Sequence, residues 1–209
     1  MKTIFYTPKF GLTELVADGL KTVHFSPIDV PAGFDTVQQS PDGRWVASSK
    51  TRQVPLTGYR RPPFEMGDEA VILMTYPEAL RYCIEGHSQE LTEHLLELVN
   101  TPSPEGNTNP LKVKPSLMPV KVRFTTSQAA IRLSQVSEED CLAAGVQLHF
   151  APDGDGVYYT NHYAKQTRYY DPTAALAAMV FDSYATEALD EDPYLWRYKT
   201  ELISLKNRK

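Results

Sequence analysis

The sequence predicts an α+β fold: a small, curved, mixed but largely antiparallel sheet or barrel with helices at its periphery. Three observations predict it. Short runs of strand character alternate with short helical patterns along the chain, from KTIFYTP at 2–8 to YLWRYKTELISL at 194–205. Sixteen prolines and eleven glycines divide the 209 residues into many turns. A last strand pattern returns after the final helix, where it closes a sheet begun near the N-terminus. The length suits one elaborated domain spanning 1–209.

Each element has its own local reason. In the first strand Ile4 and Tyr6 lie opposite Thr3 and Phe5. A short amphipathic helix follows from Gly11, with Gly19 as its stop, and then a strand over Lys21–Ser26. The stretch from Pro27 to Pro63 is turn-rich, and Pro41-Asp42-Gly43 predicts a hairpin tip. Ala70 to Met74 is a continuous apolar run and predicts a buried strand. Two helices come next. Pro77 suits a first helical position, Gly86 a stop and Ser88 a cap, and Leu91, Leu95, Leu96 and Val99 form one apolar stripe. TPSPEGNTNP at 101–110 reads as a loop. In VKVRFTT, Val120, Val122 and Phe124 alternate with Lys121 and Arg123, the clearest strand in the chain. A strand over Ala129–Leu133 leads to SEEDCLAAGV, where Ser137 and Asp140 make a variant capping box and Gly145 ends a helix. DGDG at 153–156 joins two strands as a hairpin, and its spacing lacks the regular ligands and closing glutamate of a calcium loop. Asp171-Pro172 opens a helix through about Glu187, and Tyr194, Trp196 and Tyr198 alternate along the last strand.

Composition narrows the function classes. Cys83 and Cys141 form no metal or redox spacing and read as two buried thiols. No run approaches membrane-spanning length, and MKTIFYTPKFG is too short and too interrupted for a signal peptide. A cytoplasmic protein with no membrane partner is expected. Gly67 to Glu105 carries eight acids and one base, whereas Gly106 to Leu133 carries five bases and no acid. That segregation allows a basic patch beside an acidic helical face. Glu90 and His94 are four apart on a helix, with His87 nearby, but no third ligand is preorganised, so a solvated acidic helix is preferred and no metal is expected. Tyr158, Tyr159, Tyr163, Tyr169 and Tyr170 offer either base-stacking rings or a sheet rim with wet hydroxyls, and the rim is favoured.

The motifs taken in order resemble the ASCH domain family, relatives of the PUA fold. DGLKT at 18–22 resembles that family's GRKT motif, and MGDEAVILMTY its VGD strand. LKVKPSLMP is similar to the WKPSIHMP segment of phage-type members, RLSQVSEEDCLAAGV to their LxxISEEDAxxEG helix, and FDSYATEALDEDPYLW to their WDSI…NPYVW ending. The resemblance implies a PUA-like small β-barrel with peripheral helices and a cleft for RNA or a nucleotide. The helical pair at about 77–100 would be an insertion. One branch of the family hydrolyses N4-acetylcytidine with a lysine, a threonine and a glutamate. Lys21 matches the lysine and Thr22 the adjacent threonine, but the catalytic threonine falls at His24 and the glutamate at Ala144. A second glutamate of the relatives falls at Met74. Alanine handles no proton, so the implied protein is a ligand-binding module with the amidohydrolase site eroded.

The ligand-binding candidates are Lys21, Thr22, His24, Lys114, Ser116, Lys121 and Arg123, with Lys21 the one candidate for catalysis. Alternation with Phe25 puts His24 on the polar face of its strand. Lys114 and Ser116 occupy the segment that relatives place beside the cleft. Lys121 and Arg123 share a face that reads either as a charge track for a backbone or as a solvated sheet surface. No cofactor is expected, and no glycine-rich phosphate loop or serine elbow occurs. Two alternatives remain: an active hydrolase on a modified nucleoside with a rewired site, and a phage-type interaction protein docking through the acidic helices at about 77–99.

Overall fold

The computed structural model describes residues 2–6, 11–84, 89–100, 113–152, 154, 156–161, 167–183 and 192–203, without the side chains of 82–84, 98–100 and 183. The fold is α+β, with an antiparallel-dominated sheet curled into a half-barrel.

The long strand β11 (Tyr194–Leu202) is its axis. Strand β2 (Val23–Pro27) pairs antiparallel along one side of it, from Pro27 opposite Leu195 to Val23 opposite Lys199. Along the other side β8 (Ala129–Arg132) pairs with 194–197 and β7 (Lys121–Phe124) with 200–202. Strands β7 and β8 thus share one flank, with Thr125 N–H bonding Lys199 O at 2.9 Å where they meet. Outward from β7 comes β6 (Glu69–Leu73), antiparallel, and then β1 (Lys2–Phe5), parallel to β6. The late strand therefore does more than close the sheet: it joins the two sides.

Two smaller sheets flank this one. Strands β3 (Thr36–Gln39), β4 (Trp45–Ser48) and β5 (Gln53–Pro55) form a meander whose first turn is the expected tip at Ser40–Arg44. Strands β9 (Val146–Phe150) and β10 (Val157–Asn161) form the hairpin expected around DGDG. Trp45 packs edge-on against Trp196 at 4.7 Å, tying the meander to the main sheet.

Five helices complete the described structure: α1 (Leu12–Ala17), α2 (Tyr76–Ile84), α3 (Gln89–Asn100), α4 (Glu138–Ala143) and α5 (Pro172–Ser183). Their ends follow from local chemistry. Helix α1 stops in a Schellman turn, with Leu20 N–H on Leu15 O (2.8 Å), Gly19 N–H on Val16 O (3.0 Å), and Gly19 left-handed at φ 72°. In α2 the Glu78 carboxylate reaches back to Thr75 N–H and hydroxyl, each 2.7 Å, so Tyr76 rather than Pro77 opens the helix. Asp171 caps α5 by accepting from Thr173 N–H at 2.8 Å, with Pro172 at the first helical position. Ser137 caps α4 through Asp140 N–H, but the Asp140 carboxylate turns away to Arg197 at 2.7 Å, so only half of the expected box forms.

Several expectations are corrected by burial. In α3, Leu91 and Leu95 are core residues, whereas Leu96 is 58% exposed and its place on the inner face is taken by His94. His94 is therefore not part of a solvated acidic face. Its Nε2 meets Lys114 N–H at 3.4 Å, because i, i+3 and i+4 from Leu91 bring 94 and 95 inward together. Ala79, Leu91 and Leu95 belong to the main hydrophobic core, so the helices at 77–100 are packed into the sheet structure. Tyr159 is buried and bonds Glu138 through its hydroxyl at 2.8 Å, rather than standing wet at a rim. Tyr170 is exposed as expected. Cys141 is a buried free thiol, and desolvation pushes its pKa up to about 12. The side chains of Cys83 and Val99, together with Gly86, His87, Ser88, Tyr163, the 101–110 loop and residues 184–191, lie outside the described residues. Among the described residues no helix is long and apolar enough to cross a membrane.

Candidate functional site

The site grows from the junction of α1 and β2. The Schellman turn fixes Gly19 and Leu20, and the next residue, Lys21, turns inward. Helix α4 ends nearby with a left-handed Gly145 at φ 112°, which leaves the carbonyls of Ala143 and Ala144 to find partners elsewhere. The Lys-Thr pair supplies them: Thr22 N–H bonds Ala143 O at 2.9 Å, and Lys21 Nζ bonds Ala144 O at 2.8 Å. Lys21 Nζ also donates to Val23 O at 2.6 Å. A lysine following a helix stop is thus explained structurally as the cap of a second, distant helix, whose negative end favours the cation.

That cap lies at a small cavity of about 20 Å³ between β1, β2, α1 and α5. Its walls include Tyr6, Lys21, His24 and Ala144, with Leu176 and Met179 of α5 opposite. A space of this volume holds one water or the tip of a functional group. The Lys21 ammonium stands 5.3 Å from the centroid of the Tyr6 ring, within reach of a cation–π contact. Burial at 5% exposure lowers the Lys21 pKa from 10.5 to about 7. At neutral pH the amine is therefore divided between its two protonation states.

His24 is the largest departure from the sequence reading. It lies not on a polar strand face but at 2% exposure inside the fold, because β2 is covered on both sides. Its Nδ1 meets Tyr6 Oη at 3.1 Å, and Tyr6, Phe64, Phe124 and Tyr198 surround its ring. Desolvation, then the nearby Lys21 charge, lowers its pKa to about 3. The imidazole is neutral across the physiological range.

The remaining candidates do not converge here. The Thr22 side chain is exposed, and its backbone does the capping. Lys114 and Ser116 are exposed on the 3-10 turn at Pro115–Leu117 and do not line the cavity. Lys121 is half-buried on β7, also away from the lining. Arg123 lies between Glu69 (2.9 Å) and Glu201 (3.3 Å), which neutralise it on the sheet surface. Ala144 does line the cavity, fully buried, where the resemblance puts the relatives' glutamate. Sequence reasoning missed Tyr6 and the α5 wall. The signal for α5 was its nearly unbroken apolar composition from Ala174 to Phe181, which marks a buried helix without showing what it covers.

The arrangement offers a hydrogen-bond donor, a neutral imidazole and a phenol in an apolar enclosure. None of the described residues lining the cavity is an acid, and among the described residues no group of three metal-ligating side chains occurs. Comparison with family models, curated proteins and solved structures finds no match to this chain.

Proposed function

We propose that the protein is a binding module of the ASCH/PUA-like kind that seats the carbonyl edge of a nucleoside or nucleotide base at Lys21 and does not hydrolyse it. One observation carries the reading: the buried Lys21 lines a cavity whose other described walls are apolar side chains, a phenol and a neutral imidazole, with no carboxylate among them. The cavity is too small for a base ring, so the ring would stay at its mouth and only the carbonyl tip would enter. Amide hydrolysis needs a group that takes and returns a proton, and Ala144 supplies none. His24, with its pKa held at about 3, is too weak a base to replace it.

The geometry favours an uncharged contact over a phosphate track. Arg123 is already paired with two carboxylates, and neither Lys114 nor Lys121 lines the cavity. A single nucleoside or a single base of an RNA is therefore the better ligand, with a phage-encoded cytoplasmic role as part of the same proposal. Titration calorimetry with nucleosides, nucleotides and short RNAs, on wild type and Lys21→Met, tests it. The expected result is binding that changes little between low and physiological salt and is lost in the variant. Binding that falls steeply with salt and survives Lys21→Met would overturn the reading.

A further inference from the structure

We infer that Lys21 is a covalent capture site, whose amine condenses with small aliphatic aldehydes to form an imine inside the cavity. This deepens the reading of the Lys21 cavity given above, and it uses the same access to the amine. The geometry orients the nucleophile. Two directions around Nζ are fixed by Val23 O at 2.6 Å and Ala144 O at 2.8 Å, and a neutral amine satisfies both with its two N–H bonds. What remains is the lone pair, on a side chain that lines the cavity. Burial lowers the Lys21 pKa to about 7, so the neutral form is abundant at physiological pH.

Size and polarity select the partner. About 20 Å³ admits a formyl group and little more, so a short alkyl chain would stay at the mouth, as a base ring would. An aldehyde carries no leaving group of its own, and the water that departs takes both of its protons from the amine. The lone pair attacks the carbonyl carbon, and one amine proton moves to the carbonyl oxygen to give a carbinolamine. That hydroxyl then departs with the second amine proton as water. One aldehyde and one amine thus give one imine and one water, with no redox change. The Tyr6 ring stands 5.3 Å from the amine, and its hydroxyl is bonded to His24 Nδ1. Once protonated, the imine keeps one N–H for a backbone carbonyl, and the dry surroundings slow its hydrolysis.

The test is reductive trapping. The full-length protein is incubated at neutral pH with propanal and cyanoborohydride, and the modified lysines are mapped by peptide mass spectrometry. An unperturbed lysine has roughly a thousandth of the neutral-amine fraction of Lys21 at this pH. Lys21 should therefore be labelled about tenfold or more faster than the exposed Lys50 and Lys114, even after slower access to a buried site. Its labelling rate should reach half its maximum near pH 7. Labelling of Lys21 no faster than Lys50, or only after unfolding in urea, would overturn the inference. Nucleoside binding without an adduct would remove this inference and leave the binding proposal intact. An adduct without nucleoside binding would do the reverse.

Discussion

The charge state of Lys21 is measurable as stability, because its pKa differs between the folded and unfolded chain. Burial takes it from 10.5 to about 7. Between these values the unfolded chain binds the extra proton, so stability rises with pH across that window. The penalty is fully present below about pH 7 and is gone above the unfolded value. At about 1.4 kcal/mol per unit, the whole window amounts to about 5 kcal/mol, of which about 1.5 kcal/mol falls between pH 7 and pH 8.5. This lower part is the best place to look. Above it Cys141 acts in the opposite sense: its folded pKa is pushed up to about 12, so stability is lost once the unfolded thiol ionises. Urea unfolding of wild type and Lys21→Met should therefore give curves that diverge, the wild type gaining about 1.5 kcal/mol over the variant between those two pH values. The variant also strands Val23 O and Ala144 O, at a cost of about 1 to 3 kcal/mol each, but that offset does not change with pH. Parallel curves would refute the reasoning, since they would mean that Lys21 is hydrated and that the cavity is not the enclosure described.

Two further predictions concern the same neighbourhood. His24, lowered to about 3, leaves stability unaffected above its ordinary value of 6.5 and erodes it as pH falls toward 3, so wild type should lose about 2 kcal/mol more than His24→Gln between pH 7 and pH 5. Equal losses in urea titrations at the two pH values would remove the buried imidazole from the account. Gly145→Ala would place a Cβ 2.8 Å from Leu12 Cδ2 at a φ of 112°, and should cost about 2 to 4 kcal/mol, with an unchanged melting temperature as the contrary result.

Local signals in the sequence were legible where the backbone decides the outcome. Gly19 and Gly145 end helices because left-handed positions favour a residue without a Cβ. Pro41-Asp42-Gly43 turns a hairpin, and Val120, Val122 and Phe124 alternate inward as the strand period requires. What stayed hidden depends on which surfaces meet. His24 follows the alternation rule but lies on a strand covered on both faces, and no local pattern reveals the second cover. Tyr6 reaches His24 across 18 residues, and Lys21 reaches Ala144 across 123, so neither contact leaves a periodic trace. Leu96 and His94 exchanged roles because an apolar count does not fix where the centre of a helical stripe falls. Arg123 looked like a candidate phosphate ligand until the sheet register brought Glu69 and Glu201 to its sides.

The residue at 144 bears on the charge state of Lys21. Burial pulls Lys21 toward the neutral amine and lowers its pKa to about 7, while the carbonyls of Val23 and Ala144 accept from its Nζ. A carboxylate beside it at 144, where the ASCH resemblance puts a glutamate, would add a full opposite charge in a low-dielectric setting and hold the lysine as ammonium. The lone pair would then be occupied by a proton at every physiological pH. The alanine found at 144 carries no such charge, and its carbonyl accepts from Lys21 Nζ. On the proposed ASCH reading, an alanine in place of that glutamate would take away the proton acceptor for hydrolysis and leave the amine as the group able to meet a carbonyl.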